Sequence, residues 1–158
     1  MKYSIKSANL TQIIVKICYV LLAVSVILFP ILMRQKDGDA FYFVMIAEHG
    51  RYLIFPFYAV VSAGYAALIC LDKLLSNIKK DIVFDSRNVK ILNSISLCCI
   101  YAALVGIISY AVIALCYKSI ETVILLAFGE AFMALVVRVV RDVMQKAIEI
   151  KQDNDLVV

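Results

Sequence analysis

The stretch Ile91 to Tyr117, ILNSISLCCIYAALVGIISYAVIALCY, runs for 27 residues without a charge. A bilayer core about 30 Å thick needs roughly 20 consecutive apolar residues in a helix. This run is long enough to tilt or to extend past the interface. Three other stretches accompany it. Tyr52 to Leu71 is also uncharged, Ile13 to Met33 is broken only by Lys16, and Thr122 to Val137 holds a single acid, Glu130. The last of these continues through Arg138 towards Met144. Lipid offers backbone N–H and C=O groups no water partner, so each run must close its hydrogen bonds as a helix. The expectation is an all-α integral membrane protein, a four-helix bundle forming a single membrane domain over residues 1–158. Its spans fall at about 13–33, 52–72, 91–117 and 122–144.

Composition agrees. Of 158 residues, 64% are hydrophobic and 18% charged, with a mean hydropathy of +0.93. A soluble domain is about 45–50% apolar and about 25% charged, and a small soluble fold cannot hide the excess. A soluble enzyme, a DNA-binding domain and a disordered chain are excluded. Cys18, Cys70, Cys98, Cys99 and Cys116 all fall inside apolar runs, without the loop positions of a disulfide framework. They read as reduced thiols serving as small hydrophobes.

Orientation follows from the Lys and Arg of the short flanks. Arg34, Lys36, Arg51 and Lys118 lie on one side of the four spans. All other Lys and Arg lie on the opposite side: in the N-terminal flank, between spans two and three, and after span four. That side is expected to be cytoplasmic, with both termini there, in the plasma membrane of a cell. The net charge of +4 then reports orientation, and direct nucleic-acid binding is not expected. A signal peptide is the competing reading of span one, but its apolar run exceeds the usual length and no clear small-x-small site follows.

Phe29, Tyr52, Phe55, Phe57 and Tyr117 gather at the predicted outer ends, where aromatic rings favour the interface. The outer run Phe41 to Ile46 is too short to cross and is expected to pack on the bundle or lie in the interface. Pro30 and Pro56 either kink the outer parts of their spans or are tolerated near helix ends.

Glu130 is the first residue with chemical potential. At 1.5 Å per residue it lies about 12 Å below Thr122, near the midplane. A charge at that depth costs from about 3 to over 10 kcal/mol unless paired, protonated or hydrated. It reads either as a proton or cation site or as one half of an interhelical hydrogen bond. On span two, Tyr58, Ser62 and Tyr65 follow i, i+4, i+7 spacing, with Asp72 two turns further along. Ser94, Cys98 and Tyr101 repeat that spacing on span three. These residues would line a polar seam or act as ordinary glue between membrane helices. Small residues recur every four positions: Ala59, Ala63 and Ala67; Ala102 and Gly106; Ala127 and Ala131. Such faces allow close backbone approach, within one chain or between chains, so a homo-oligomer is compatible with them.

Catalytic readings find little support. The single histidine, His49, is in the outer loop, and Cys98-Cys99 are adjacent, a spacing at which a disulfide would be strained. No phosphate loop or His-Glu-x-x-His pattern occurs. No enzyme activity, cofactor or metal site is expected.

The cytoplasmic connection reads as an extension of span two, a break at Asp81-Ile82-Val83-Phe84, and a new helix capped by Asp85 or Ser86. Its basic residues would serve as topology signal or hold anionic headgroups. Beyond Arg138 an amphipathic helix has Val139, Val140, Val143, Ala147 and Ile150 on one side. It ends in the tail Lys151-Gln-Asp-Asn-Asp-Leu-Val-Val158.

Phe84-Asp-Ser-Arg-Asn88-Val89-Lys90-Ile-Leu92 resembles the Phe-x-x-x-Asn-Val-x-x-Leu signature of a bacterial family of small four-span membrane proteins of unknown function. The ending Asp153-Asn-Asp155-Leu156-Val157-Val158 is similar to that family's acidic Asn-Asp-Leu-Thr-Val tail, with Val157 where Thr is usual. The resemblance implies a regulatory pairing with a small helix-turn-helix regulator and brings no established site residues. In one reading Phe84 and Leu92 seat the loop on the bundle and Asn88 caps it. In the other, Phe84, Asn88, Lys90, Leu92, Asp155 and Leu156 form a cytoplasmic docking surface for a protein partner. The expected function is accordingly non-enzymatic, regulatory or scaffolding. The alternative is a small transporter, channel or immunity-type protein that uses Glu130, for which dimerisation would widen a narrow path.

Overall fold

In a computed structural model that describes residues 2–34, 50–80, 82–116 and 121–155, the chain is four long helices. They are α1 (Lys2–Arg34), α2 (Gly50–Lys79), α3 (Ser86–Cys116) and α4 (Glu121–Asp155). No strand occurs among the described residues. Each helix contains a segment apolar and long enough to cross a membrane: Asn9–Ile31, Ile54–Lys79, Ser86–Val112 and Val123–Asp153. Helix α1 continues through Pro30 and α2 through Pro56. Phe41 to Ile46, His49, Tyr117 and Leu156 lie outside the described residues, as does the side chain of Tyr52.

The helices pack in chain order. Helix α1 meets α2, α2 meets α3, and α3 meets α4; no other pair of helices comes into backbone contact among the described residues. The bundle is therefore open on one side, with α1 and α4 as its two margins. The protein interior lies mainly along α2–α3 and α3–α4, where Ala63, Leu92, Ala102, Ala103, Ala127 and Ala134 are buried. Along α1, by contrast, Leu10, Ile13, Ile17, Val20, Val24 and Ile27 are all at least 49% exposed. That apolar surface is satisfied by acyl chains.

Small residues set the tightest contact. A Cβ built on Gly106 would stand 2.9 Å from the Cβ of Ala127, so α3 and α4 approach closely because position 106 has no side chain. The buried Ser96 hydroxyl bonds across the same interface, donating to the Ala134 carbonyl at 3.1 Å. The interface between α1 and α2 is looser and aromatic. Phe29 stacks on Phe57 with centroids 3.8 Å apart, and Tyr19 tilts against Tyr65 at 6.1 Å.

The break between α2 and α3 is closed by polar groups. The Ile82 N–H reaches back to the Asn77 carbonyl at 3.0 Å. Asp85 starts α3 as its cap, accepting from the Arg87 N–H at 2.8 Å. Helix α4 has no such break. Its 35 residues span about 52 Å at 1.5 Å per residue, well over a bilayer core, so its C-terminal part stands outside the membrane.

Candidate functional site

Two places gather the residues singled out above. The first is a cleft in the open side of the bundle. Its volume is about 680 Å³, and residues of all four helices line it. Helices α1 and α4 bound it, with Leu22 and Ser25 on one margin and Leu126, Gly129, Glu130 and Met133 on the other; α2 and α3 form the floor. A smaller cavity of about 200 Å³ continues from it and shares Phe57, Val60, Ala102, Leu126 and Glu130. The lining is apolar apart from Ser25, Cys98, Cys99, Glu130 and, in the smaller cavity, Ser109. Ser25 already donates to the Leu22 carbonyl at 2.8 Å and Ser109 to Val105 within α3.

Glu130 stands out chemically. Its Oε2 is buried and has no hydrogen-bond partner. Buried polar atoms in folded proteins are rarely left so, and no Lys, Arg or His lines the cleft beside it. Cys18, Cys70, Cys98 and Cys99 are free thiols. No group of His, Cys, Asp and Glu suited to a metal ion occurs among the described residues.

The tyrosine stripe does not converge on Glu130. Tyr58 donates to the Val26 carbonyl of α1 at 3.4 Å, Tyr65 meets Tyr19 of α1, and Ser62 bonds to Ala59 within its own helix. Tyr101 is half-exposed on α3. None of the four lines the cleft. Tyr58 and Tyr65 are turned to α1, while Val60, Ala63, Gly64 and Ala67 of α2 line the floor of the cleft. The spacing alone carried no information on which neighbour each face would meet.

The second place is the turn between α2 and α3. Asn88 is completely buried and its amide is fully used. It donates to the carbonyls of Ile82 (2.7 Å) and Val83 (2.9 Å) and accepts from the Asn77 amide (2.7 Å). Leu92 is buried below it, as a residue seating the turn should be. Phe84 and Ile82 are 54% and 44% exposed, so neither ring nor butyl group is consumed in holding the turn. Lys90 and Arg87 are exposed alongside. Asp155 is the last residue of α4.

Two polar clusters went unread in the sequence. Gln12 of α1 donates to Asp72 at 3.4 Å and accepts from the Lys79 ammonium, which fastens the margins of α1 and α2 together. Arg141 of α4 donates to Asn93 of α3 at 2.6 Å while paired with Asp142. Gln12 precedes its apolar run and Asn93 sits inside one; a signal existed only in their being polar near a span end.

Four apolar helices and a cleft at membrane depth define a multi-pass integral membrane protein. The model of one family, described as a protein of unknown function and designated DUF2975, matches residues 32–158. The chain belongs to that family, and the match takes in α2, α3 and α4 whole. It also covers Phe84 to Leu92 and the tail. No curated protein and no solved structure matches the chain.

Proposed function

We propose that this is a non-enzymatic regulatory or scaffolding protein that docks a cytoplasmic protein partner at the α2–α3 turn. The observation that carries the reading is the pairing of a rigid turn with unused apolar side chains. Asn88 fixes the backbone of residues 82 and 83 from within, while Ile82 and Phe84 stay half-exposed. Apolar groups on a preorganised loop lose little entropy on association, the economy seen in binding hot spots. Arg87, Lys90 and Lys80 around them favour an acidic partner surface. The C-terminal tail supplies a second contact, with Asp155 at the end of α4 and Leu156 just after it. The family resemblance points to a helix-turn-helix regulator as the class of partner.

The reading requires the turn, and with it both termini, to face the cytoplasm of a cell whose plasma membrane holds the protein. The Lys and Arg bias supports that orientation. Reporter fusions after Asp153 and at Lys36 should report cytoplasm and exterior respectively; the reverse pattern removes the proposal. Photo-crosslinkers at 82 and 84 should then capture a soluble cytoplasmic protein in intact cells, and a chain ending at Gln152 should capture less of it. A crosslinker at the lipid-facing Phe128 should capture none. Adducts confined to lipid or to the chain itself at position 84 would refute docking.

A further inference from the structure

The open cleft poses a separate problem from the cytoplasmic turn. A carboxyl group sits at membrane depth in a space of about 680 Å³, with one oxygen buried and unpartnered. Ionised, it lacks any counter-charge among the lining residues; neutral, it still leaves an acceptor unsatisfied. The cleft is within the range that takes small-molecule ligands, which is apolar walls with few placed polar groups.

Two further features define what fits. Phe57, held by its stack on Phe29 at 3.8 Å, gives the floor a fixed apolar wall in the same space as Glu130. Gly129, next to Glu130, leaves the α4 backbone bare at the margin: a Cβ built there meets nothing within 4 Å. A glycine inside a helix is less favourable than alanine, and here no neighbouring helix occupies the room it makes. The acid, the aromatic wall and the bare backbone all border one volume.

We propose that this cleft binds amphipathic organic cations from the membrane, with Glu130 as their charge partner and the apolar walls holding the hydrocarbon body. A neutral lipid tail would fill the volume but leave the carboxyl unpaired. A second copy of the chain would bring an apolar helix face with the same deficiency. A lipophilic cation meets both demands of the site.

The test uses the full chain in lipid nanodiscs with tetraphenylphosphonium as probe and triphenylmethanol as neutral control. Saturable binding of the cation is expected, with Glu130→Gln and Gly129→Phe each weakening it at least tenfold. The two variants fail differently: the first removes the charge and leaves the space, the second fills the space and leaves the charge. Phe128→Ala, on an exposed part of α4 outside the cleft, should bind as the wild type does. Circular dichroism and elution volume check folding; if Glu130→Gln misfolds, Gly129→Phe decides alone. The proposal is overturned by equal binding of the neutral probe, by unchanged affinity in Gly129→Phe, or by no saturable binding in the wild type. A Gly129→Phe chain that changes oligomeric state while binding the cation normally would give the cleft to a second copy and overturn it too.

Discussion

Replacing Asn88 by alanine should loosen the whole cytoplasmic end of the bundle. The side chain makes three hydrogen bonds, two donated to the Ile82 and Val83 carbonyls and one accepted from Asn77. At a net 0.5–1.5 kcal/mol each, their loss amounts to about 3 kcal/mol. The partners gain no substitutes, because the site is fully buried. Asn88→Asp is the sharper variant. It keeps the shape but turns both donors into an acceptor facing two carbonyls, so it should cost at least as much as alanine. Asn77→Ala alone should cost about 1 kcal/mol, and a coupling of similar size should appear in the double variant. The chain has no tryptophan, so far-UV circular dichroism during unfolding in mixed micelles is the suitable readout. Hydrogen exchange at residues 82–88 provides the local measure. An Asn88→Ala protein within 0.5 kcal/mol of wild type, or an Asn88→Asp protein as stable as wild type, would refute the assignment of Asn88 as the lock of this turn.

Gly106→Ala should destabilise by about 1–3 kcal/mol, since the added methyl meets Ala127 at 2.9 Å, and Ala127→Gly in the same chain should restore part of it. Unfolding in mixed micelles reads both. Ser96→Ala removes a buried side-chain bond between α3 and α4 and should cost about 0.6 kcal/mol, as such bonds in lipid usually do. Asp85→Ala removes the cap of α3 and should cost about 1 kcal/mol, with exchange at Arg87 rising first. A value near zero for Asp85→Ala would mean that the Asn88 bonds alone hold the turn.

Much of the fold was legible because lipid imposes one-dimensional demands. Span length and a break ahead of Asp85 are properties of contiguous sequence, and the four helices follow them. Small-residue spacing went further: Ala102, Gly106 and Ala127 do meet or lie buried where α3 crosses α4. Beyond that, sequence periodicity names a face without naming its neighbour. Tyr58, Ser62 and Tyr65 share a face as their spacing requires, but Tyr58 and Tyr65 meet α1 and none of the three lines the cleft with Glu130. Asn88 was readable as a cap or as a docking residue; what separates the two is its bond to Asn77, on another helix. Phe84 shares the same short motif and is left half-exposed. In a bundle closed on all sides the cleft would not exist, and hydropathy does not distinguish an open packing order from a closed one.

The order in which the helices touch has a consequence for how the protein is made. Among the described residues each helix packs on its predecessor and its successor, so a chain leaving the ribosome need not hold a place for a segment not yet synthesised. When α2 emerges its first partner is already in the membrane; the same is true of α3 and then of α4. Every docking event closes a short loop, which keeps the entropic cost low and the route direct. Addition in this sequence is growth at one edge, and it ends with α4 presenting the side that bears Glu130 to whatever the surrounding membrane contains.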